Sequence, residues 1–209
     1  GDQLVETICF HLRLSQNAAK IRALELLEEV GIEPTRSSAF PHEFSGGMRQ
    51  RIVIALALAP EPKLIIADEP TTALDVSIQA QVLSLLKSLC KNRGASVILI
   101  THDMGVIAET TDRVTVFYAG RIVENGLTHD VIKNPRHPYT RGLMASTPNL
   151  DQVTFETILP QIPGIMPGLA NLPEGCRFHP RCKDAISRCK TTSPKFKNGI
   201  SCHLFDEAA

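Results

Sequence analysis

The spacing of hydrophobic residues predicts three helices in the first half of the chain. Residues three or four positions apart share one face of a helix, and this spacing occurs in three segments. The segments are 18–30, 45–58 and 76–91. We expect Gly31 to end the first helix and Pro60 to end the second.

Short, continuous hydrophobic runs predict strands. The runs at 63–67 and 97–100 are typical of strands that are buried on both faces. Two further runs, 114–118 and 121–124, flank Ala119-Gly120, a two-residue hairpin signal. Because strands alternate with helices, we predict an α/β fold with a largely parallel sheet.

The composition changes after residue 134, which predicts two domains, 1–134 and 135–209. Eight prolines lie between Pro135 and Pro180, and four of the six cysteines follow between Cys176 and Cys202. Because prolines at this density cannot continue a sheet, we expect an extended, turn-rich segment here.

Composition and charge exclude several classes of protein. The chain has 209 residues, 43% of them hydrophobic, with 22 Lys and Arg against 22 Asp and Glu. It is therefore too hydrophobic for a disordered chain, and it has no overall basic excess of the kind found in nucleic-acid binders. The start, Gly1-Asp2-Gln3, has neither an initiator Met nor a signal peptide pattern, so we expect the chain to begin within a longer protein.

Two adjacent acids, Asp68 and Glu69, follow the predicted strand at 63–67. The carboxyl ends of parallel strands form the edge at which open α/β folds bind ligands. Since neighbouring carboxylates repel each other, the pair is typical of a site where one acid holds Mg²⁺ and the other orients a water for attack on a phosphoryl group. The pair alone also fits an ordinary turn after a strand.

Two neighbouring features favour phosphate chemistry. Ser45-Gly46-Gly47-Met48 opens a predicted helix, where free N–H groups and the helix dipole attract anions. His102 follows the strand at 97–100 and can donate to a phosphate oxygen. Taken singly, Ser45 is also a common helix cap with flexible glycines after it, and His102 a common structural histidine.

These motifs, in this order, resemble the nucleotide-binding subunit of ATP-binding-cassette (ABC) transporters over residues 1–150. Four motifs carry the resemblance: the signature motif at Ser45-Gly46-Gly47-Met48, the Walker B strand at 64–68 followed by Glu69, the D-loop at Ala73-Leu74-Asp75, and the switch histidine at His102. Phe44 and Met48 stand where Leu and Gln are commoner in the signature motif.

The resemblance implies a P-loop NTPase-like fold with a helical subdomain, in which two subunits enclose ATP head to tail. It implies that Asp68 acts on Mg²⁺, that Glu69 polarises the attacking water and that His102 contacts the γ-phosphate. The residues that would contact ATP held by the other subunit are Ser45, Gly46, Gly47, Met48 and Asp75. ATP and Mg²⁺ are the implied cofactors.

One element of such a subunit is missing from the sequence. The pattern Gly-x-x-x-x-Gly-Lys-[Ser/Thr], which cradles phosphates, does not occur in the 209 residues. We therefore expect the chain alone to bind ATP poorly and to hydrolyse it negligibly. A truncated piece of a longer protein and a degenerate subunit would both lack this pattern. The presence of Glu69 and His102 favours truncation.

The four cysteines near the C-terminus predict a metal site. Their spacing is C-x5-C-x6-C-x12-C, at Cys176, Cys182, Cys189 and Cys202. Zinc sites usually contain a closer pair of cysteines, whereas four irregularly spaced thiolates suit a [4Fe–4S] cluster. Seven basic residues and one acidic residue lie between positions 176 and 203, and this excess could offset the charge of a cluster. Zinc and uncoordinated thiols remain alternatives.

Three further segments resemble the C-terminal extension of ATPases that serve oligopeptide, dipeptide and nickel importers. They are Asn134–Thr140, Ile162-Pro163-Gly164 and Gly175-Cys176-Arg177-Phe178. Some members of that group carry a [4Fe–4S] cluster on four cysteines, so the resemblance favours this cluster. It assigns 1–134 to the C-terminal portion of an ABC ATPase domain and 135–209 to the extension.

The expected function is therefore ATP-driven peptide import, with this subunit peripheral to the cytoplasmic face of the cell membrane. The expected partners are integral-membrane permease subunits, a second ABC ATPase subunit and, indirectly, an extracytoplasmic substrate-binding protein, but no nucleic acid. The alternatives are a soluble ABC-type ATPase acting on nucleic acid or translation, and a non-catalytic iron–sulfur module. The cargo and the identity of the second subunit stay open.

Overall fold

The chain divides after His102 into two units, Gly1–His102 and Asp103–Ala209. The computed structural model describes residues 1–72, 74–147 and 160–206. Composition predicts a boundary after residue 134, whereas the spatial division falls 32 residues earlier, so that the predicted hairpin lies in the second unit. The assignment of 1–134 and 135–209 as domains stays a prediction.

The first unit contains the three helices predicted from the hydrophobic spacing. Its main elements are α1 (Asp2–Leu12), α2 (Gln16–Glu29), α3 (Gly46–Leu58), β1 (Leu64–Asp68), α4 (Val76–Asn92) and β2 (Ser96–Ile100). Two short 3-10 turns, Pro34–Ser38 and Pro41–Glu43, connect α2 to α3. Gly31 has a φ of 72°, which is the left-handed conformation expected just after a helix, so its predicted role is confirmed. The helix α1 was not predicted.

The strands β1 and β2 pair in parallel, but the prediction that both faces are buried is wrong. Ile65 and Ala67 of β1 pack into the core formed with the helices of this unit. Ile66, on the opposite face, is 65% exposed. Successive residues of a strand point to opposite faces, and within the described residues the core covers only one of them.

The second unit contains the predicted hairpin. Its main elements are α5 (Met104–Thr110), β3 (Arg113–Tyr118), β4 (Arg121–Leu127), α6 (Thr128–Lys133), α7 (Pro138–Ser146) and α8 (Arg188–Thr191). Ala119 and Gly120 both have positive φ, 46° and 77°, as a tight hairpin turn requires. Since β3 and β4 are antiparallel and pair separately from β1 and β2, the described residues do not form one largely parallel sheet.

The proline-rich segment is only partly as predicted. Residues 160–178 contain no helix or strand, in agreement with a turn-rich extension. In contrast, Pro138 begins α7, because a proline at the first position of a helix loses no hydrogen bond there. Pro148 lies outside the described residues.

A buried carboxylate fixes the chain just before α7. The two oxygens of Glu124 accept hydrogen bonds from the N–H groups of Arg136 (2.9 Å) and His137 (3.0 Å). The buried His137 ring in turn accepts a hydrogen bond at Nδ1 from the N–H of Tyr139 (3.0 Å). Burial, with a smaller effect of Arg141, lowers the pKa of His137 to about 4. The ring is therefore neutral at pH 7.

The neutral His137 predicts that the second unit loses stability in acid. An unfolded His binds a proton below its ordinary pKa of 6.5, whereas folded His137 binds one only below about 4. The free energy of unfolding should therefore fall as the pH falls from 6.5 towards 4. Urea unfolding across this range should show a shallower fall for His137→Asn, which keeps an acceptor at the helix start, than for the unsubstituted chain. The exposed-histidine control His129→Gln should keep the steep fall, and an equally steep fall in His137→Asn would contradict the prediction.

Candidate nucleotide site in the first unit

The parallel pairing of β1 and β2 brings the predicted phosphate-handling residues to one edge. Asp68 is in register with Ile100, so the segments that begin at Glu69 and Thr101 leave the sheet side by side. The N–H of Glu69 donates to the carbonyl of Ile100 over 2.9 Å, which extends the pairing by one bond. Asp68 and Glu69 are both exposed at this edge.

The carboxylate of Glu69 is held by two side chains. Nδ1 of His102 lies 2.9 Å from Oε1 of Glu69, and Oγ1 of Thr72 donates to Oε2 over 2.8 Å. These bonds, first that of His102 and then that of Thr72, lower the pKa of Glu69 because both stabilise the charged form. Since a carboxylate only accepts, the Nδ1 atom of His102 carries a proton in this arrangement. The site thus holds an anionic carboxylate in a fixed direction.

The role of Thr72 was missed from the sequence. The resemblance assigns Ala73-Leu74-Asp75 to a D-loop and gives Thr72 no role; Asp75 stands at the start of α4. The sequence does contain a signal for this contact, because a hydroxyl lies three residues after Glu69. A turn can bring a hydroxyl at that spacing close to the carboxylate. Of the predicted D-loop, Leu74 and Asp75 are described, and Ala73 lies outside the described residues.

The signature motif forms the first turn of α3. Oγ of Ser45 accepts a hydrogen bond from the N–H of Met48 over 3.3 Å, which is the helix cap expected from sequence. The two glycines are closely packed: a Cβ on Gly47 would lie 2.6 Å from Cγ2 of Ile78 in α4, and one on Gly46 would lie 3.3 Å from Cδ2 of Leu74. The glycines therefore allow α3 to approach α4.

The structure thus joins some of the predicted residues and not others. Hydrogen bonds join Glu69 to His102 and Thr72. The signature residues instead contact Leu74, Ile78 of α4 and, through Met48, Arg36. The assignment of the two groups to different nucleotides stays a prediction.

The four C-terminal cysteines lie in the second unit as free thiols. Cys189 and Cys202 are buried, and Cys176 and Cys182 are partly buried. Burial, with smaller effects of the other three thiols, raises the pKa of Cys202 to about 11. Among the described residues, no group of three or more His, Cys, Asp or Glu side chains is arranged to hold a metal ion. The predicted [4Fe–4S] cluster is therefore not supported by this geometry.

Comparison with known families finds a match for two separate parts of the chain. Residues 3–72 match the ABC transporter family, and residues 123–189 match the C-terminal region of oligopeptide/dipeptide transporters. The two matched stretches are thus similar to an ABC transporter segment followed by an oligopeptide/dipeptide transporter C-terminal region. The ABC transporter match includes the signature motif, Asp68, Glu69 and Thr72.

Curated relatives extend this likeness along nearly the whole chain. The oligopeptide transport ATP-binding protein AppD of Bacillus subtilis is 47% identical over 99% of this chain and 65% of its own length. A second oligopeptide transport ATP-binding protein of this species, OppD, is 55% identical over 89% of this chain and 52% of its own length. The chain thus spans between half and two thirds of the length of these two relatives.

A solved structure supports the ABC transporter fold. CbiO1 of Clostridium perfringens, described as part of the ABC transporter complex cbiONQ, is 31% identical and has a TM-score of 0.53. The match covers 58% of this chain and 48% of CbiO1. Among the described residues, none of the helices is both long and apolar enough to cross a membrane.

The close approach of α3 and α4 predicts a cost for adding a methyl group at Gly47. Because the new Cβ would overlap Ile78, Gly47→Ala should lower the free energy of unfolding of the first unit by about 1–3 kcal/mol. Adding Ile78→Leu should recover part of this loss, since leucine lacks the Cγ2 branch that the new methyl group would overlap. Gly168→Ala is the control, because a Cβ there meets open space. Chemical unfolding would give the free energy of unfolding of the unsubstituted chain and the three variants. Equal values for Gly47→Ala and the unsubstituted chain would contradict the packing described.

Proposed function

We propose that this chain provides the signature motif and the hydrolytic residues of an ABC ATPase subunit that drives the import of peptides across the cytoplasmic membrane. The observation that carries the proposal is the carboxylate of Glu69, which follows Asp68 at the end of a parallel strand and is bonded to His102 and Thr72. The match of residues 123–189 and the relatives named as oligopeptide transport proteins support peptides as the cargo.

The residues at the sheet edge suit the hydrolysis of a phosphoanhydride. Mg²⁺, when bound, neutralises charge on the β- and γ-phosphates, and the exposed carboxylate of Asp68 offers the oxygen ligand that it prefers. Glu69 accepts a hydrogen bond from the attacking water and orients it towards the γ-phosphorus. His102 keeps one ring nitrogen on Glu69 and directs the other towards the γ-phosphate. The ring therefore links the base to the group under attack.

The signature residues would act on a second nucleotide. The exposed N–H groups at the start of α3 and the positive end of its dipole attract phosphate oxygens. Ser45, Gly46, Gly47 and Met48, with Asp75 at the start of α4, would face ATP that is bound by a second ATPase subunit. The proposal requires a phosphate-cradling loop from outside residues 1–209, since the sequence contains none.

The proposed setting is the cytoplasmic face of the membrane. There the subunit would bind integral-membrane permease subunits and would act indirectly with an extracytoplasmic substrate-binding protein. Co-purification with permease subunits would support an importer. Co-purification with nucleic acid or ribosomes would favour a soluble ABC ATPase.

Removing the base should abolish hydrolysis. In a chimera that joins the AppD residues preceding the matched region to Gly1, we expect the AppD part to supply the phosphate-cradling loop. This chimera should hydrolyse ATP in the presence of Mg²⁺. In this chimera Glu69→Gln should lower kcat at least about a hundredfold, because the amide cannot accept a proton. Glu61→Gln, an exposed glutamate at the other end of β1, is the matched control and should leave kcat unchanged. Equal turnover by the two variants would contradict the role of Glu69.

We propose the [4Fe–4S] cluster on Cys176, Cys182, Cys189 and Cys202 as a separate feature. What supports it is the mutual influence of the four thiols: the other three each contribute to raising the pKa of Cys202, so the four lie in one neighbourhood. Because the described geometry is not that of a metal site, binding would require the side chains to rearrange. No step of the proposed hydrolysis depends on this cluster.

Metal analysis tests the cluster directly. After anaerobic purification of the chain, the cluster predicts equal amounts of iron and acid-labile sulfide and an absorbance band at about 400 nm. Cys189→Ser should lose both signals, and Cys90→Ser, a buried cysteine in the first unit, should keep them. Zinc without iron or sulfide, or no metal at all, would exclude the cluster.

A further inference from the structure

The signature motif is held at both ends by one arginine. Arg36 lies in the turn Pro34–Ser38, and its guanidinium carbon is 4.5 Å from the centre of the Phe44 ring. Its Nη2 atom donates to the carbonyl of Glu43 over 2.9 Å. Its Nη1 atom points at the sulfur of Met48, 3.5 Å away. The three contacts fall immediately before and at the end of the segment Ser45-Gly46-Gly47.

The two side chains that Arg36 contacts are those in which this signature motif departs from the common one. Phe44 replaces Leu and supplies an aromatic face, on which a guanidinium stacks favourably. Met48 replaces Gln and supplies a thioether, a weak acceptor that itself donates nothing. With Gln at 48 and Leu at 44, the guanidinium would lose the ring face and the sulfur together. Phe44 and Met48 thus both contact Arg36, and we call these three residues the Arg36–Phe44–Met48 set.

The segment between these contacts packs against Ile78 and Leu74, but its own side chains bond only within the turn. Gly46 and Gly47 have no side chains, and Ser45 is bonded to Met48 within the same turn. Rigid contacts on both flanks therefore determine the direction in which the N–H groups of this turn point. A planar guanidinium can stack on one residue while it donates to two others, which an ammonium group cannot do.

We propose that Arg36 is a positioning residue for the signature motif, and that the Arg36–Phe44–Met48 set replaces the commoner Leu and Gln in directing the motif at a nucleotide. The inference rests on the proposed function, because it takes the signature motif to contact ATP held by a second subunit. Arg36 itself need not touch the nucleotide.

The first test uses the 209-residue chain and a double-mutant cycle. The amides of Met48 and Arg49 bond to Ser45, so their hydrogen exchange reports how firmly the turn is held. Arg36→Gln should speed this exchange about tenfold. In a Phe44→Leu/Met48→Leu background the same substitution should have less than about a threefold effect, because the ring face and the sulfur acceptor are gone and only the bond to the Glu43 carbonyl remains. The exposed control Arg13→Gln should change nothing. Equal effects of Arg36→Gln in the two backgrounds would overturn the proposal.

The second test measures ATP use by the chimera with AppD. Arg36→Gln should raise KM for ATP about tenfold and leave kcat within about twofold, since Glu69 and His102 are untouched. General loss of folded protein would instead lower the apparent kcat at unchanged KM, and this result would overturn the positioning role. Arg36→Lys should also raise KM, because one ammonium group cannot make the three contacts.

A reference variant separates this inference from the proposed function. Gly47→Asp places a negative charge in the motif itself, and Gly47→Ala, which has the same overlap with Ile78 but no charge, is its matched control. Gly47→Asp should abolish ATP turnover while Gly47→Ala retains it if the motif contacts phosphate. If Gly47→Asp abolishes turnover while Arg36→Gln leaves KM unchanged, the proposed function stands and the role of Arg36 is wrong. If Gly47→Asp leaves turnover intact, the signature motif does not contact the nucleotide, and both proposals are wrong.

Discussion

The parallel pairing of β1 with β2 is the constraint on which the proposed chemistry depends. It sets Asp68 opposite Ile100, so that Glu69 and His102 leave the sheet at the same edge and meet over 2.9 Å. A slip of one residue would reverse which side chains face the helices and would move His102 away from the acid. The hydrophobic contacts of Ile65 and Ala67 with the core oppose such a slip. Core packing therefore sets the geometry of the polar pair.

The backbone at Glu69 shows how closely this position is determined. Its φ of 45° lies in the left-handed region, which costs a residue other than glycine on the order of 1 kcal/mol. The backbone bond to Ile100 and the side-chain bonds to Thr72 and His102 offset that cost. The carboxylate is thus placed by the fold before any nucleotide arrives, and such preorganisation reduces the rearrangement required during the reaction.

Local signals in the sequence predicted the features that depend on a few neighbouring residues. The Ser45 cap and the hairpin turn at Ala119-Gly120 are of this kind, because cap and turn preferences act within four residues. The meeting of Glu69 and His102 was predictable from a general rule, since parallel strands end at one edge. The exposed face of β1 and the bonds of Glu124 were not predictable, because they depend on what packs nearby in space. Similarly, the spacing of four cysteines does not determine how their sulfur atoms are arranged.

The two units carry different kinds of information about this protein. Every residue proposed to handle phosphate lies in the first unit, whereas the match specific to oligopeptide/dipeptide transporters lies in the second. The ABC transporter match ends at residue 72, yet His102, thirty residues further on, completes the hydrolytic pair. Its place is fixed by β2 rather than by its distance along the chain. The proposed hydrolysis therefore depends on the pairing of β1 with β2, both of which lie in the first unit together with Glu69 and His102.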